Sequence, residues 1–514
     1  MDHSTYEREI AAVLPRVLAS FDTDSCSPSY GLGDRLYWGW KLVDYPNATP
    51  QGSVHGLAAL LAGGHLPWGL EECVIVRRID CAIRASGRIA GRDGSLVEAF
   101  PNEKSFCVTA LIAFDILCAV DFLRSKVERS LIDDWLGIIE PMIGFILRND
   151  ETHATISNHL ATAAAALFRW SENGNPQALP RARAVLRRIL DRQSSEGWFN
   201  EYGGFDPGYE TLGLYYLADI HNRRPDEGLK PALVRSLDFL GYAAHPDGSF
   251  GGLYGSRNTR FIVPAGLEAL AAEFPAAAAL ARFARRAIAD RTVPTLATID
   301  DQNLAPMFNS YCRALCSASA HSEHAAASLP HEGQDVWRHT FPDAGLVIDK
   351  GSSHYTIVST KKGGVVYHFR GRDALLDAGV AAAKNGELYT TQAFSAKNDV
   401  EASGEKLVIT APFMRAVSER LTPAKLILLR ILCLTAFRSR RLAEFVKRRL
   451  VRRLITPRSS AGVTNRRTIS LGYDLSIADE FTAPTRLTRI KSPGLFRTIH
   501  MASSGYWQVG DDRS

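Results

Sequence analysis

The sequence of 514 residues predicts an α+β multidomain protein, with an N-terminal α/α toroid followed by a C-terminal antiparallel β-sandwich that carries a basic helical insertion. Three observations lead to this prediction. Short turn-forming breaks, most of them with glycine, recur about every 40 to 55 residues through the first 290 residues. Alanine-rich segments with helical periodicity are replaced after about residue 335 by short runs rich in β-branched residues. A low-complexity stretch lies between the helical part and the β-rich part.

The toroid is expected to span residues 1–316. Runs such as SFCVTALIAFDILCAVDFLRSKV and PAGLEALAAEFPAAAALARFARRAIAD have apolar residues at the three- and four-residue spacing of amphipathic helices. The interval between breaks is the length of a helical pair. Such pairs close into a toroid when their turns lie at one end, around a central cleft. Functional residues are therefore expected at the breaks, which lie near Gly52, Gly94, Asn149, Gly197 and Gly248.

The stretch SASAHSEHAAASLPHEG places an interdomain linker at residues 317–334. The β-sandwich is expected over residues 335–514. Its strands are predicted from β-branched runs separated by turn residues: TFPDAGLVIDKG, SHYTIVSTKKG, GVVYHFRG, KLVITAPFM, RTISLGYDLSIADEF and FRTIHMASSGYWQVG. A helical insertion at about residues 420–456 interrupts this pattern.

The segment 415–467 concentrates the basic charge of the chain. It contains fifteen Lys or Arg and two Glu, whereas the net charge of the whole chain is only +5. The apolar run at residues 426–437 is interrupted by Arg430 and is too short to cross a bilayer. Peripheral docking to an anionic membrane is one interpretation. A helical hairpin whose apolar face covers the protein is the other, and the scarcity of aromatic residues argues against nucleic-acid binding.

The N-terminal residues MDHSTYEREIAAVLPRVLASF have no apolar run after a basic start, so no signal peptide is predicted. The expected location is therefore cytoplasmic. Peripheral attachment to the inner membrane surface is the alternative. Eight cysteines without paired spacing indicate reduced core residues. Cys312 and Cys316 lack a second pair or a histidine partner, so no metal site is predicted.

The strongest functional signal is the pair Asn158-His159 at the start of a predicted helix. Thr155 and Ser157 come just before the pair, and threonine and serine are both favourable residues at the N-terminus of a helix. Free N–H groups in a first helical turn favour an anion such as a sugar carboxylate. Neutralising the carboxylate makes the neighbouring C5–H more acidic, and a nearby Tyr or His can then remove the proton.

The order of the parts and two motifs resemble the heparinase II/III-like polysaccharide lyases, which include alginate and heparin lyases. The first motif is Asn158-His159. The second, DPGYETLGLYY, is similar to the family's D-G-x-x-x-E-x-S-P-x-Y-H, with Asp206, Glu210 and Tyr215 in corresponding places. The 57-residue step from Asn158 to Tyr215 is also similar to the family's spacing.

The resemblance implies a toroid followed by a sandwich, and cleavage of uronic-acid polysaccharides by β-elimination. It implies that Asn158 neutralises the carboxylate and that Tyr215 or His159 removes the C5 proton. Two departures accompany it. Tyr216 stands where the family has a histidine, and an H-x-H-x-D element is absent, so that His368 is the histidine available in the second domain.

Further residues at the predicted turns are expected to bind substrate. Aromatic side chains beside charges suit a sugar groove, and arginines suit an anionic sugar. Helix capping and aromatic packing are the structural alternatives for all of them. The set comprises Asp34, Tyr37, Trp38, Trp40, Lys41, Glu98, Asn102, Glu103, Tyr202, Asp206, Tyr209, Glu210, Arg257 and Arg260.

The predicted function is thus that of a carbon–oxygen lyase on an anionic polysaccharide or oligosaccharide, with no cofactor. A C5-epimerase shares the first step of that reaction. A glycoside hydrolase on the same toroid would need two carboxylates across the cleft. A non-catalytic glycan-binding protein of membrane-associated polysaccharide assembly is the alternative outside enzymes.

Overall fold

The computed structural model describes residues 4–67, 69–151, 156–318, 327–385, 387–415, 422–439, 441–443, 445–446, 449, 460–481 and 488–490. The helices of the first half are α1 Ser4–Ser20, α2 Arg35–Trp38, α3 Val54–Gly63, α4 Glu72–Ile89, α5 Phe106–Leu123, α6 Arg129–Arg148, α7 Ser157–Glu172, α8 Leu179–Leu190, α9 Pro207–Arg223, α10 Lys230–Leu240, α11 Pro264–Leu270, α12 Pro275–Ala289 and α13 Leu304–Ala318. One more helix, α14, spans Pro423–Leu434.

Six of these helices form a closed inner ring. Helices α3, α5, α7, α9, α11 and α13 each contact the next, and α13 contacts α3. Helices α4, α6, α8, α12 and α1 pack against the outside of α3, α5, α7, α11 and α13, and α10 lies between α9 and α12. This is the α/α toroid that the recurring turns predict.

The inner helices run parallel to one another. Near the start of α11, the backbone N–H of Val263 donates to the Thr211 hydroxyl in the first turns of α9 (3.0 Å). Near the ends of the same two helices, Asn222 donates to the Ala269 carbonyl (3.0 Å). The segments that precede the inner helices therefore gather at one end of the toroid, which we call the N-terminal end of the ring.

Helix α5 is apolar on every side because it lies inside the toroid. It is the one helix of the described residues that is long and apolar enough to cross a membrane, and 83% of it is buried within the protein. Ser105 begins it, because the Ser105 hydroxyl accepts from the N–H of Val108 (3.2 Å).

The second half contains strands β1 Trp337–Phe341, β2 Leu346–Lys350, β3 Tyr355–Ser359, β4 Val365–Arg370, β5 Asp373–Asp377, β6 Ala381–Lys384, β7 Glu387–Thr390, β8 Asp399–Ser403, β9 Lys406–Arg415, β10 Ser460–Ser470, β11 Ser476–Phe481 and β12 Thr488–Ile490. Strands β1 to β5 form a meander in sequence order. The other sheet has the order β11-β10-β9-β7-β6-β12, and β8 also pairs with β9. Every pairing is antiparallel.

The three central strands of the five-stranded sheet, β2, β3 and β4, are buried on both faces, whereas the edge strands β1 and β5 are largely exposed. On one face Val358 and Val366 pack in a cluster with Ile409 and Ile469 of the other sheet, which forms the predicted sandwich. The opposite face packs on the toroid and shares its core. Strands β2 and β3 are buried at every residue, which explains why their sequences read as continuous rather than alternating apolar runs.

The basic segment 415–467 is not one structural unit. Arg415 ends β9, and Arg467 lies in β10, where its buried guanidinium binds Asp377 (2.7 Å) and Asp479 (2.8 Å). Helix α14 lies between these strands in sequence. Part of the predicted linker, residues 319–326, and the predicted terminal strand FRTIHMASSGYWQVG lie outside the described residues.

Candidate functional site

The Asn158-His159 pair lies in the first turn of α7, as the sequence predicts. The helix is not capped by its own side chains, since Ser157 instead donates to the Asn200 carbonyl (2.8 Å). Thr155, the other predicted cap, lies outside the described residues. The carboxyl group of Glu201 takes that place, because it accepts from both the backbone N–H and the side-chain amide of Asn158 (2.7 Å each).

Glu201 therefore occupies the helix-terminus position that the sequence assigns to a substrate carboxylate. Its side chain is fully buried. Burial raises the pKa of this carboxyl well above its usual value, and the two hydrogen bonds from Asn158 oppose that rise. The amide of Asn158, itself buried, is thus engaged by the protein before any ligand arrives.

His159 is oriented by a carboxylate. Its Nδ1 lies 2.9 Å from Oε2 of Glu151, a residue that is itself nearly buried. The His159 ring meets the Tyr202 ring edge-on, with 6.4 Å between the ring centroids. When Nδ1 of a histidine donates its proton to a carboxylate, Nε2 carries the free lone pair and can accept a proton.

Tyr202 links the histidine to a buried cation. The Arg257 guanidinium lies over the Tyr202 ring at 4.5 Å from its centroid. Arg257 is buried, and its Nε and Nη2 have no hydrogen-bond partner in the protein. Burial raises the pKa of the Tyr202 phenol well above its usual value, while Arg257 opposes the rise. Tyr202 therefore carries its proton at neutral pH.

Tyr209 completes an aromatic group at this end of the ring. Its ring centroid is 5.8 Å from that of Tyr202 and 5.7 Å from that of Phe261. Its hydroxyl is buried without a partner. Tyr202 itself has φ +57°, which is in the left-handed region that non-glycine residues seldom adopt. The turn thus holds the phenol side chain at a cost in backbone strain.

Lys362, which the sequence analysis does not single out, reaches the same end from the β-sandwich. Its Nζ donates to Oδ1 of Asn258 (2.6 Å) and to the Gly255 carbonyl (3.3 Å). Burial is the main cause that lowers the pKa of its ammonium to about 7; Asp206 opposes the shift and Arg257 adds to it. The KKGG run of the sequence was its only signal, because its partners lie about 100 residues earlier in the chain.

Asp206 and Glu210, which the sequence predicts to bind substrate, both accept hydrogen bonds from the protein itself. Asp206 caps α9 by accepting from Tyr209 N–H (3.3 Å), and its other oxygen accepts from Arg257 N–H (2.8 Å). Glu210 accepts from Phe199 N–H and from a serine hydroxyl. Burial raises the pKa of Glu210 to about 8.

Tyr215, the other predicted catalytic residue, makes its contacts away from the Asn158-His159 pair. Its hydroxyl points across the ring to His55, at 3.3 Å from Nδ1, and the same nitrogen of His55 lies 2.9 Å from Oδ1 of Asp115. No hydrogen bond or ring contact of the described residues joins Tyr215 to the pair. It instead lines a cavity of about 230 Å³ among the C-terminal halves of the inner helices, with Arg169, Asp219 and Arg313.

His368, the predicted histidine of the second domain, faces away from the toroid. Its neighbour in β4, Tyr367, accepts from Leu253 N–H of the toroid (2.9 Å). Successive strand residues point to opposite faces. The contacts of His368 accordingly lie within the sandwich: Thr356 at 2.8 Å and Arg370 at 3.3 Å.

The aromatic segment before α3 also has structural contacts. Asp34 caps α2 by accepting from Leu36 N–H (3.1 Å), and Trp38 donates to the Ser20 carbonyl (2.8 Å). Lys41 lies over the Tyr37 ring. Trp40, by contrast, is 64% exposed. No described contact joins these five residues, Asp34, Tyr37, Trp38, Trp40 and Lys41, to the group around Tyr202.

The remaining residues predicted to bind substrate lie in the turn before α5 and in the segment before α11. Glu103 accepts from three backbone N–H groups of its own turn, beginning with Glu98 (3.2 Å), and Asn102 donates to the Phe437 carbonyl (2.6 Å). These contacts are structural. Arg260 approaches the hydroxyl of Tyr367 (3.5 Å).

His159, Tyr202, Tyr209, Arg257 and Lys362 thus gather at the N-terminal end of the ring. They supply an oriented imidazole, a protonated phenol and a guanidinium with unpartnered N–H groups, which suits proton transfer next to a bound anion. The described residues contain no cluster of three or more His, Cys, Asp or Glu side chains that could hold a metal ion.

No protein-family model matches the sequence, and no curated protein matches it. Among solved structures, the chain is similar to the xanthan lyase of Paenibacillus, with a TM-score of 0.52 and 9% sequence identity. The similarity covers 91% of this chain and 44% of the xanthan lyase chain. At this identity the comparison concerns the fold alone, and the chain spans less than half of the length of that enzyme. The protein thus has a polysaccharide lyase-like fold.

Proposed function

We propose that the protein is a polysaccharide lyase that cleaves uronic-acid-containing glycans by β-elimination at the N-terminal end of the ring. The observation that carries the proposal is the convergence of a carboxylate-held histidine, a protonated tyrosine and an arginine with two unpartnered nitrogens. The fold similarity to a xanthan lyase supports a polysaccharide as the substrate. Membership of the heparinase II/III-like superfamily is part of the proposal.

Arg257 binds the uronate carboxylate in this mechanism. A guanidinium offers paired N–H donors in the planar geometry of a carboxylate. Neutralising that charge stabilises the carbanion that forms at C5. This replaces the role that the sequence assigns to Asn158, whose amide already donates to Glu201. Asn158 is then a positioning residue, which holds the loop that carries Tyr202.

His159 acts as the base and Tyr202 as the acid. Nε2 of His159 takes the C5 proton, and the electron pair forms a C4–C5 double bond as the C4–O4 bond breaks. The Tyr202 hydroxyl gives its proton to the departing O4. Exchange with water returns a proton to Tyr202 and removes one from His159, which restores both groups. In its ammonium form Lys362 adds positive charge and a further proton donor beside Arg257, and its pKa of about 7 leaves this form populated at neutral pH.

The contacts of the buried carboxyls favour this chemistry over hydrolysis. A glycoside hydrolase needs two carboxyl groups that flank the scissile bond. Glu201, Asp206 and Glu210 are buried and accept hydrogen bonds from the protein's own backbone. A C5-epimerase remains the closest alternative, because it shares the abstraction of the C5 proton.

The test is incubation of the full chain with a panel of uronate polysaccharides, including alginate, heparin and hyaluronan. β-Elimination produces the near-ultraviolet absorbance of a C4–C5 unsaturated sugar. New reducing ends without this absorbance would identify a hydrolase. Solvent deuterium at C5 without chain cleavage would identify an epimerase.

A matched pair of variants assigns the site. His159→Gln is expected to lower the rate about 100- to 10,000-fold, because it removes the general base. His368→Gln changes a histidine that faces away from the toroid and is expected to retain activity. Equal loss in both variants, or loss in His368→Gln alone, would contradict the assignment.

A further inference from the structure

Helix α14 is apolar yet lies almost wholly on the surface. Its sequence is PAKLILLRILCL, and none of its twelve residues is buried. Five large aliphatic side chains are 44–60% exposed: Leu426, Ile427, Leu428, Ile431 and Leu434. A run of this kind on a soluble surface marks a site of interaction with a protein or a membrane.

The helix is fixed in position by specific contacts. Arg430 donates to the Lys41 carbonyl (3.1 Å) and to Oδ1 of Asp44 (3.0 Å). Just after the helix, the rings of Phe437 and Phe100 pack with their centroids 4.7 Å apart. The exposed face is therefore the outer face of a docked helix.

A second part of the chain adds to the same surface. The segment held by Arg430 contains Trp40 and Leu42, which are 64% and 55% exposed, and Leu36 at its other end is 36% exposed. Leu36 and Leu42 are joined by a backbone hydrogen bond (2.8 Å). Elements almost 400 residues apart in sequence thus present apolar side chains together. We call the exposed side chains of Leu36, Trp40, Leu42 and α14 the apolar ridge.

The sequence around the ridge is strongly cationic. The described residues between 423 and 449 include five basic residues and no acidic one; the basic residues are Lys425, Arg430, Arg438, Arg441 and Arg449. Two copies of this chain meeting at the ridge would bring two such charges together. An anionic lipid surface instead offers hydrocarbon to the aliphatic side chains and negative charge to the basic ones. Tryptophan also favours the boundary between lipid and water.

We propose that the apolar ridge docks the protein on an anionic lipid bilayer, with α14 parallel to the membrane plane and shallowly inserted. The contacts of α14 lie in the segments that precede α3 and α5, so docking places the N-terminal end of the ring beside the bilayer. This inference is independent of the proposed reaction. It accounts for an exposed apolar helix that the candidate site does not use.

The test is sedimentation of the full chain with vesicles. One set contains equal parts of phosphatidylglycerol and phosphatidylcholine, and the other contains phosphatidylcholine alone, each at low and at high salt. Binding is expected to the anionic vesicles and is expected to weaken at high salt. Absent binding, or equal binding to both sets, would overturn the proposal.

Variants assign the binding to the ridge. The double change Ile427→Glu and Ile431→Glu is expected to lower the partition coefficient at least tenfold, and Trp40→Ala is expected to lower it as well. The matched control is Val234→Glu, at an exposed valine of α10 (39%), which is expected to bind normally. All four positions are exposed, so circular dichroism is expected to show unchanged folding.

The same variants separate a bilayer from a second copy of the chain. Sedimentation velocity without lipid is expected to show no concentration-dependent dimer. A dimer that dissociates in the double variant Ile427→Glu, Ile431→Glu would overturn the proposal in favour of self-association. His159→Gln is expected to bind vesicles normally, so failure of the lyase proposal and failure of docking give different results.

Discussion

Two tyrosines of the toroid illustrate how strongly the surroundings of a side chain decide its possible role. Tyr202 lies under the Arg257 guanidinium and beside His159. Tyr215 is buried beside a cavity and meets His55 and Phe114 across the ring. Tyr215 also has a histidine and two arginines near it, but its hydroxyl contacts His55, and no contact of the described residues joins it to His159. The proposed mechanism therefore uses Tyr202 as the general acid, because its ring lies against the carboxylate-held His159.

Tyr202→Phe is accordingly expected to lower lyase turnover about 100- to 10,000-fold, with little change in stability, because it removes only the hydroxyl of a partly exposed residue. Tyr215→Phe is expected to retain most activity. The measurement is the rate of formation of the unsaturated sugar, with the melting temperature as the control for folding. Normal turnover in Tyr202→Phe with a large loss in Tyr215→Phe would return the catalytic role to Tyr215.

Lys362 gives a prediction on stability. Its pKa is about 7 in the folded protein, whereas a lysine in an unfolded chain has a pKa of about 10.4. The unfolded state therefore binds more protons between these values, and this residue makes the protein more stable as the pH rises from about 7 to about 10. The slope is at most about 1.4 kcal/mol per pH unit.

Lys362→Met is expected to remove that contribution. The measurement is urea unfolding at pH 7, 8 and 9. The free energy of unfolding of the natural chain minus that of the variant is expected to increase as the pH rises. Lys361→Met, which removes a lysine at the neighbouring half-buried position, is the control. A difference that is constant with pH would contradict a depressed pKa for Lys362.

The sequence identifies some of these residues and not others for a physical reason. Asn158 and His159 are recognisable because local signals place them in a first helical turn. Glu201 and Lys362 are not, because their roles arise from contacts 43 and about 100 residues away along the chain. The prediction for Tyr215 rests on a motif match and on the spacing from Asn158, and neither shows which way a helical side chain points around the ring.

Among the elements, the inner helices pack closely enough for single glycines to matter. A Cβ atom at Gly266 of α11 would lie 2.7 Å from the backbone of α9 at Leu214 and Tyr215. Real side chains do not approach backbone so closely, so one of the two helices would have to move. The ring closes only because this position lacks a side chain.

Gly266→Ala is therefore expected to destabilise the protein by about 1–3 kcal/mol. Gly137→Ala is the matched control, since Gly137 lies exposed within α6 with nothing within 4 Å of an added Cβ. There alanine is expected to stabilise by about 0.5–1 kcal/mol through the lower entropy of the unfolded chain. Thermal unfolding of the two variants is expected to shift in opposite directions, and destabilisation of both would contradict the packing argument.

The elements themselves are well predicted wherever periodicity is strong. Segments with helical periodicity between regular turns predict the toroid. The β-branched runs predict strands β2, β3, β4, β9, β10 and β11. The surroundings of an element are not encoded in its own pattern. Helices α5 and α14 are both rich in apolar residues, and only the two basic residues within α14, Lys425 and Arg430, indicate locally that it is the exposed one.

In the whole molecule, the toroid and the five-stranded sheet share one hydrophobic core. Tyr254 of the toroid and Tyr367 of β4 meet edge-on with ring centroids 5.3 Å apart. Tyr355 of β3 donates to the Tyr242 carbonyl (3.0 Å). Because each half covers apolar surface of the other, we expect them to unfold together in one transition.

Tyr367→Phe tests this coupling. It removes the hydroxyl that accepts the hydrogen bond from the buried Leu253 N–H, and an unsatisfied buried donor costs about 1–3 kcal/mol. Calorimetry is expected to show a single transition that moves as a whole to lower temperature. Tyr473→Phe, at a residue that is 49% exposed, is the control and is expected to leave the transition in place. Two transitions, only one of which moves in Tyr367→Phe, would show that the sandwich and the toroid unfold separately despite their common core.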